Sequence, residues 1–347
     1  MVPLLELRVN GEVIDLASSL IAFEYEEVIM GASPFKIEGY ISEDRWDILN
    51  TFITETDSNS SIRWGYTDDK GEYWGRWHDI LCGKTRWGFS GSDVIYLIEG
   101  HDNGYRLKEN KTKLLHYDKL VSSMVSDIAS NNVMASEVVP TSAKETILQG
   151  SLNDGAFLFN ELIPRAYNGS SYCYVCYFKD GNRLVFEPLE TSKVYKSYNT
   201  ILRGTYRTNQ AEYANKINVE YRWYNVYKRE FTSKKINDNN AGFKKLSRRS
   251  VNIPDSAAEF KNIRAKDKSI YEEVIKADWS QGYYEMFDFV VLTEDPEVEV
   301  NRIIEVNVSD PDEKRTLQAG RYIITKNVVT IEQRQYKNEI YISRRTI

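Results

Sequence analysis

Apolar and polar residues alternate along most of this chain. Leu5, Leu7 and Val9 are separated by Glu6 and Arg8, and Asn10-Gly11 ahead of Val13 and Ile14 is a tight-hairpin signal. The same period of two runs through 22–26, 35–41, 61–66, 72–79, 80–89 and 94–100, with Asp68-Asp69-Lys70-Gly71 as a turn. Each stretch predicts a strand with one face toward a core. At 44–53 the period changes: Trp46, Leu49 and Ile53 fall at i, i+3 and i+7, which predicts a short helix.

After residue 105 helical spacing takes over. Val121, Met124, Val125 and Ile128 share one helical face, Asp118 is a candidate cap, and Asn131-Asn132 predicts the end. A second helix is expected from Asn153 or Asp154, carrying Ala156, Phe157, Phe159, Leu162 and Ile163, with Pro164 stopping or kinking it. The runs 172–178 and 184–186 flank Lys179-Asp180-Gly181-Asn182 and predict a hairpin. Strand patterning returns at 214–221, 287–292, 302–308, 322–325, 328–333 and 339–343, with a helical piece expected at 272–279. The pattern predicts a mainly β protein with an α+β unit. A first β-barrel domain is expected over 1–105, the α+β domain over 106–200, and a second β-barrel domain over 201–347 with an insertion at about 226–290.

The hairpin contains Cys173 and Cys176, a C-x-x-C. An offset of three along a strand puts the two sulfurs on opposite faces, so they are not expected to chelate one ion or form one disulfide. Cys82 supplies no nearby third ligand, and His78, His101 and His116 are scattered. Gly83-Lys84-Thr85 looks like the end of a phosphate-binding loop, but the glycine required five residues earlier is His78. No G-x-S-x-G elbow is present and no carboxylate pair stands out. No catalytic residue, cofactor site or metal site is therefore expected.

With 41% hydrophobic and 28% charged residues, the composition is that of a soluble globular chain, with no membrane-length apolar run and no signal peptide expected. The 24 tyrosines and 7 tryptophans suit strands, subunit contacts or a sugar platform, for which Trp64, Trp74, Trp77 and Trp87 are the candidates. Charge is unevenly spread. Lys228, Arg229, Lys234, Lys235, Lys244, Lys245, Arg248 and Arg249 face only Glu230 and Asp238 within 228–249, a local +6 that leaves −12 for the rest of a chain whose total is −6. The NDNNAG sequence at 237–242 makes this segment read as a loop, and its eight cations as a candidate contact for an acidic partner or nucleic acid.

The order of the pieces carries a resemblance. Tyr117-Asp118-Lys119-Leu120-Val121 opens a helix, and Gln149-Gly150-Ser151-Leu152-Asn153-Asp154 leads into an aromatic-rich one. The Asp180-Gly181-Asn182-Arg183 hairpin follows, then Asn215-Lys216-Ile217-Asn218-Val219. Leu317-Gln318-Ala319-Gly320-Arg321-Tyr322, Val328-Val329-Thr330-Ile331 and Tyr336-Lys337-Asn338-Glu339-Ile340 close the chain. This order resembles the baseplate hub family of phage tails: the hub of contractile-tailed phages, the tail protein D group, and the N-terminal part of type VI secretion spike proteins. The resemblance implies a structural protein rather than an enzyme, a homotrimer with two similar tube-type barrels per subunit. Three subunits would join a six-fold tail tube, or its initiator protein, to a three-fold spike around a channel for the tape measure protein and for DNA that passes without specific binding. It implies a place in the virion tail baseplate, with assembly in the host cytoplasm and no membrane contact. The chain ends without a following spike domain, so the spike is expected to be a separate protein. A carbohydrate-binding surface module and a cell-wall-degrading tail enzyme are the alternatives.

Overall fold

The structure, a computed structural model, describes residues 1–42, 45–54, 59–112, 115–142, 144–166, 168, 174–189, 194–198, 216–225, 230–237, 246–252, 288–306 and 320–343. Strands dominate it, with an α+β unit in the middle of the chain, as the patterning predicts.

The first region holds β1 (Val2–Val9), β2 (Glu12–Asp15), β3 (Leu20–Val28), β4 (Pro34–Ser42), β5 (Ser60–Asp68), β6 (Gly71–Trp74), β7 (His78–Ser90) and β8 (Asp93–Asp102), with helix α1 (Trp46–Thr54) between β4 and β5. All of the strand pairings here are antiparallel. Asn10 and Gly11 both take positive φ, as a two-residue hairpin turn requires. Leu5, Leu7, Phe23, Tyr25, Ile37, Trp64, Tyr96 and Ile98 turn inward and are almost wholly buried. The expected strand 72–79 is split: β6 ends at Trp74 and β7 begins at His78. Between them Gly75 lies against backbone; a Cβ on it would sit 2.8 Å from the Pro296 carbonyl oxygen.

The last region adds β18 (Asp288–Thr293), β19 (Ile303–Val306), β20 (Gly320–Glu332) and β21 (Gln335–Ser343), with β14 (Val194–Tyr198) parallel to β19. The two runs expected at 322–325 and 328–333 are one strand with a bulge between Ile324 and Lys326. That bulge marks a change of core. Tyr322, Ile323 and Ile324 pack into a cluster with Val291, Ile304, Ile340 and Ile342, whereas Val329 and Ile331 pack with the first region. β20 also pairs with β3 from Lys326↔Val28 to Glu332↔Ala22, fusing the two β regions into one sheet.

The turn between β20 and β21 places Gln333 at φ 50° and Arg334 at φ 60°, left-handed conformations that neither residue favours. Arg334→Gly is expected to raise stability by about 1 kcal/mol. Urea unfolding with no gain would show that Arg334 makes a compensating contact.

Between these regions lie β9 (Leu115–Leu120), α2 (Val121–Asn131), β10 (Ala135–Val138), β11 (Lys144–Leu148), α3 (Asp154–Phe157) running on to Arg165, β12 (Tyr174–Lys179) and β13 (Arg183–Pro188). Asn153 caps α3, accepting from the Ala156 N–H at 2.8 Å, and the helical path ends one residue beyond Pro164. Asp118 does not cap α2. It lies within β9 at φ 42°, and the backbone turns into the helix at Leu120. The hairpin β12–β13 is buried on both faces: Val175, Tyr177 and Val185 enter the cluster of the last region, while Tyr174, Cys176, Phe178, Leu184 and Phe186 enter that of α2 and α3.

A separate three-stranded sheet has the order β16 (Glu230–Asn237), β15 (Lys216–Asn225), β17 (Leu246–Asn252). The reading of 228–249 as a loop is thereby corrected for 230–237 and 246–249. Alternation of apolar and polar residues is weak there, and pairing with β15 makes the strands. The helical piece expected at 272–279 falls outside the described residues.

Candidate functional site

Arg76, in the segment between β6 and β7, draws together carboxylates from three distant parts of the chain. Its side chain reaches Glu27 at 3.0 Å, Asp180 at 2.8 Å and Glu299 at 2.5 Å. Those partners come from β3, from the turn of the β12–β13 hairpin and from the segment after β18. Glu299 also takes Lys179 at 3.2 Å and Arg302 at 2.7 Å. Arg302 faces Glu187 at 3.7 Å, and Glu187 accepts from the Tyr177 hydroxyl and the Asn301 amide. The segment is braced from outside: Arg63 lies between the rings of Trp74 and Trp77, and Arg8 covers Trp77.

Backbone bonds clasp the hairpin turn. The Asp79 N–H donates to the Asp180 carbonyl and the Asn103 N–H to the Gly181 carbonyl, both at 2.8 Å. Asp180 and Gly181 both have positive φ, and a Cβ on Gly181 would lie 2.1 Å from the Asp79 carbonyl oxygen. Asp102 ties the neighbouring loop, accepting from the backbone N–H groups of Ser33 at 3.0 Å and Gly104 at 2.9 Å.

Burial sets the charge states. It pushes Glu27 up to about 7, with Arg76 opposing, and Asp102 up to about 8, with the Ser33 and Gly104 N–H groups opposing. Burial would raise Glu299 too, but Arg76, Arg302 and Lys179 hold it below its ordinary value. Burial and the Arg76 charge hold His78 well below its ordinary value. The folded chain thus keeps protons on Glu27 and Asp102 where an unfolded carboxyl has lost them. This stabilisation is complete at acid pH and is lost as pH rises through 7 and 8. Unfolding free energy is expected to fall from about pH 6.5 to about pH 8; below that, His78, kept neutral where an unfolded imidazole takes a proton, contributes the opposite slope. Glu27→Gln with Asp102→Asn should flatten that slope in denaturant titrations, and an equally steep slope in the double variant would refute the assignment.

Everything in this junction is structural: ion pairs, clasps and packed rings. Among the described residues no group of His, Cys, Asp and Glu side chains could hold a metal ion. Cys176 is buried with its thiol pushed up by burial, and Cys173 lies outside the described residues. Gly83-Lys84-Thr85 lies in β7, at a bulge. The four candidate tryptophans have different surroundings: Trp64 is 1% exposed, Trp74 and Trp77 hold Arg63, and Trp87 packs on Trp46. Of the basic residues singled out in the sequence, Lys234 and Lys235 stand on β16 and Arg248 and Arg249 on β17, in one sheet. Lys228, Arg229, Lys244 and Lys245 lie outside the described residues. Sequence reading missed Arg76 and its partners. The one local signal was a charged residue in Trp74-Gly75-Arg76-Trp77, the segment where the strand pattern breaks.

The comparisons with known proteins follow this architecture. A tail protein from Neisseria meningitidis MC58 superposes with a TM-score of 0.59 over 99% of this chain and 97% of its own, at 10% identity. The 43 kDa tail protein of prophage MuSo2 from Shewanella oneidensis gives 0.60 over 98% of both chains, at 9% identity. The chain has the fold of these tail proteins. A type VI secretion system component from E. coli, described as structurally similar to the T4 bacteriophage tail proteins gp27 and gp5, shares this tail-protein fold. It matches at 0.52 over 98% of this chain and 79% of its own, at 11% identity. No protein-family model and no curated protein sequence matches the chain. Among the described residues no helix is long and apolar enough to cross a membrane.

Proposed function

We propose that this chain is a structural, non-enzymatic baseplate hub protein of a phage tail or related contractile injection system. Three copies form a ring that joins the six-fold tube to a three-fold spike and surrounds the channel for tape measure and DNA. The observation that carries the reading is the end-to-end likeness to two tail proteins, one of them from a prophage, covering 97% or more of this chain and of both of theirs. The Arg76 junction supports it, because a ring that transmits load needs its domains locked together rather than hinged. The two β regions are taken as the paired barrels, 1–105 and 201–347, around the α+β domain at 106–200. In the virion, the sheet carrying Lys234, Lys235, Arg248 and Arg249 is proposed to face an acidic surface of the tube or spike. Loss of this chain from a producing strain is expected to stop tail assembly and to be rescued by supplying it in trans. Intact, infectious particles without it would refute the role.

A further inference from the structure

The antiparallel run β7-β8-β4-β3-β20-β21-β18 crosses both β regions and has two ends. At one end, β7 pairs with β5 only through Ser61↔Asp79 and Ile62↔His78. Beyond Ile80, among the described residues, β7 pairs with β8 alone, so one side of the strand is open as far as Ser90. Open edges of this length are normally blunted or covered. This one instead carries Trp87 at 51% exposure and Phe89 at 68%, edge to face at 5.7 Å, with Trp87 anchored on Trp46. A cavity of about 1070 Å³ lies against residues 80–84, with Phe35, Phe52 and Ile53 in its wall. At the other end, β18 pairs only with β21 among the described residues.

The two ends have opposite charge. Residues 80–90 contain Lys84 and Arg86 and no acid, and both side chains are exposed. Residues 288–301 contain Asp288, Glu294, Asp295, Glu297 and Glu299 and no base; Glu299 is taken up by the Arg76 junction and Asp295 pairs with Lys196, while Glu294 and Glu297 are exposed. An open sheet whose ends differ in this way suits head-to-tail association, in which each copy offers both halves of the contact.

We propose that the open side of β7 is a subunit contact that receives the β18 end of a neighbouring copy of this chain, with Trp87 and Phe89 as its apolar anchors and Lys84 and Arg86 facing Glu294 and Glu297. This rests on the ring reading and names the surfaces that close the ring. Strand addition supplies the backbone bonds, the aromatics supply the buried area, and the charges select the orientation.

The test is native mass spectrometry and sedimentation of the full chain over its soluble concentration range, with melting curves as the folding control. Wild type is expected to form trimers. Phe89→Asp is expected to weaken association at least about thirtyfold with an unchanged melting curve. Lys84→Glu with Arg86→Glu should also lose the trimer, and adding Glu294→Lys and Glu297→Lys to the same chain should restore it. Trimers that survive both variants overturn the contact and leave the ring reading standing. A wild-type chain that never self-associates, alone or with its tube and spike partners, overturns both.

Discussion

Replacing Gly181 with valine is expected to unfold or nearly unfold the protein. Two effects add at this position. The residue sits at φ 71°, a left-handed conformation that costs a β-branched residue about 1–3 kcal/mol. Its Cβ would also lie 2.1 Å from the Asp79 carbonyl oxygen, which is backbone and has no rotamer by which to escape. Relieving that overlap moves the hairpin turn away from β7 and breaks the clasps from Asp79 and Asn103. The hairpin carries side chains of two cores, so its displacement disturbs both. A loss of about 4 kcal/mol or more is expected. Urea unfolding of Gly181→Val against Gly71→Val checks it, because Gly71 also has positive φ but has open space around its Cβ. Equal losses in the two variants would show that the close approach does not matter.

At pH 8, where Glu27 carries its charge beside Arg76, replacing Arg76 with methionine is expected to cost about 3–5 kcal/mol, because three acids lose their shared partner and Glu27 is 1% exposed. Most of the loss should come from Glu27 rather than from Asp180, which is at the edge of the junction. Adding Glu27→Gln to Arg76→Met should therefore recover a large part of it, whereas Asp180→Asn in the same background should recover little. A double-mutant cycle with no coupling between Arg76 and Glu27 would contradict this account.

Much of the fold was legible because strand alternation reports which side chains face inward. Leu5, Leu7 and Val9 are buried as read, Asp180-Gly181 makes its turn, and the face of Val121, Met124, Val125 and Ile128 packs inward. What alternation does not report is which strand edges meet. The pairing of β3 with β20 joins residues roughly three hundred positions apart, and it depends on sheet twist and on how cores stack rather than on any local period. The junction was hidden for the same reason: Arg76, Glu27, Asp180 and Glu299 are far apart in the sequence and come together only when β3, the β12–β13 turn and the segment after β18 meet. The basic segment was misread because hairpin and parallel pairing with β15 overrode a polar, loop-like composition. Asp118 was misread as a cap because its position one turn ahead of α2 matches the pattern, while its pairing with β11 through the Thr146 hydroxyl keeps it in a strand.

The hub reading is tested most directly by a three-dimensional image of the assembled tail in which this chain is traced. The account predicts three copies in a ring between tube and spike, each presenting its two β regions to the six-fold tube, with β7 of each copy against the next. A ring of any other order, or this chain at a site away from the tube–spike junction, would contradict it.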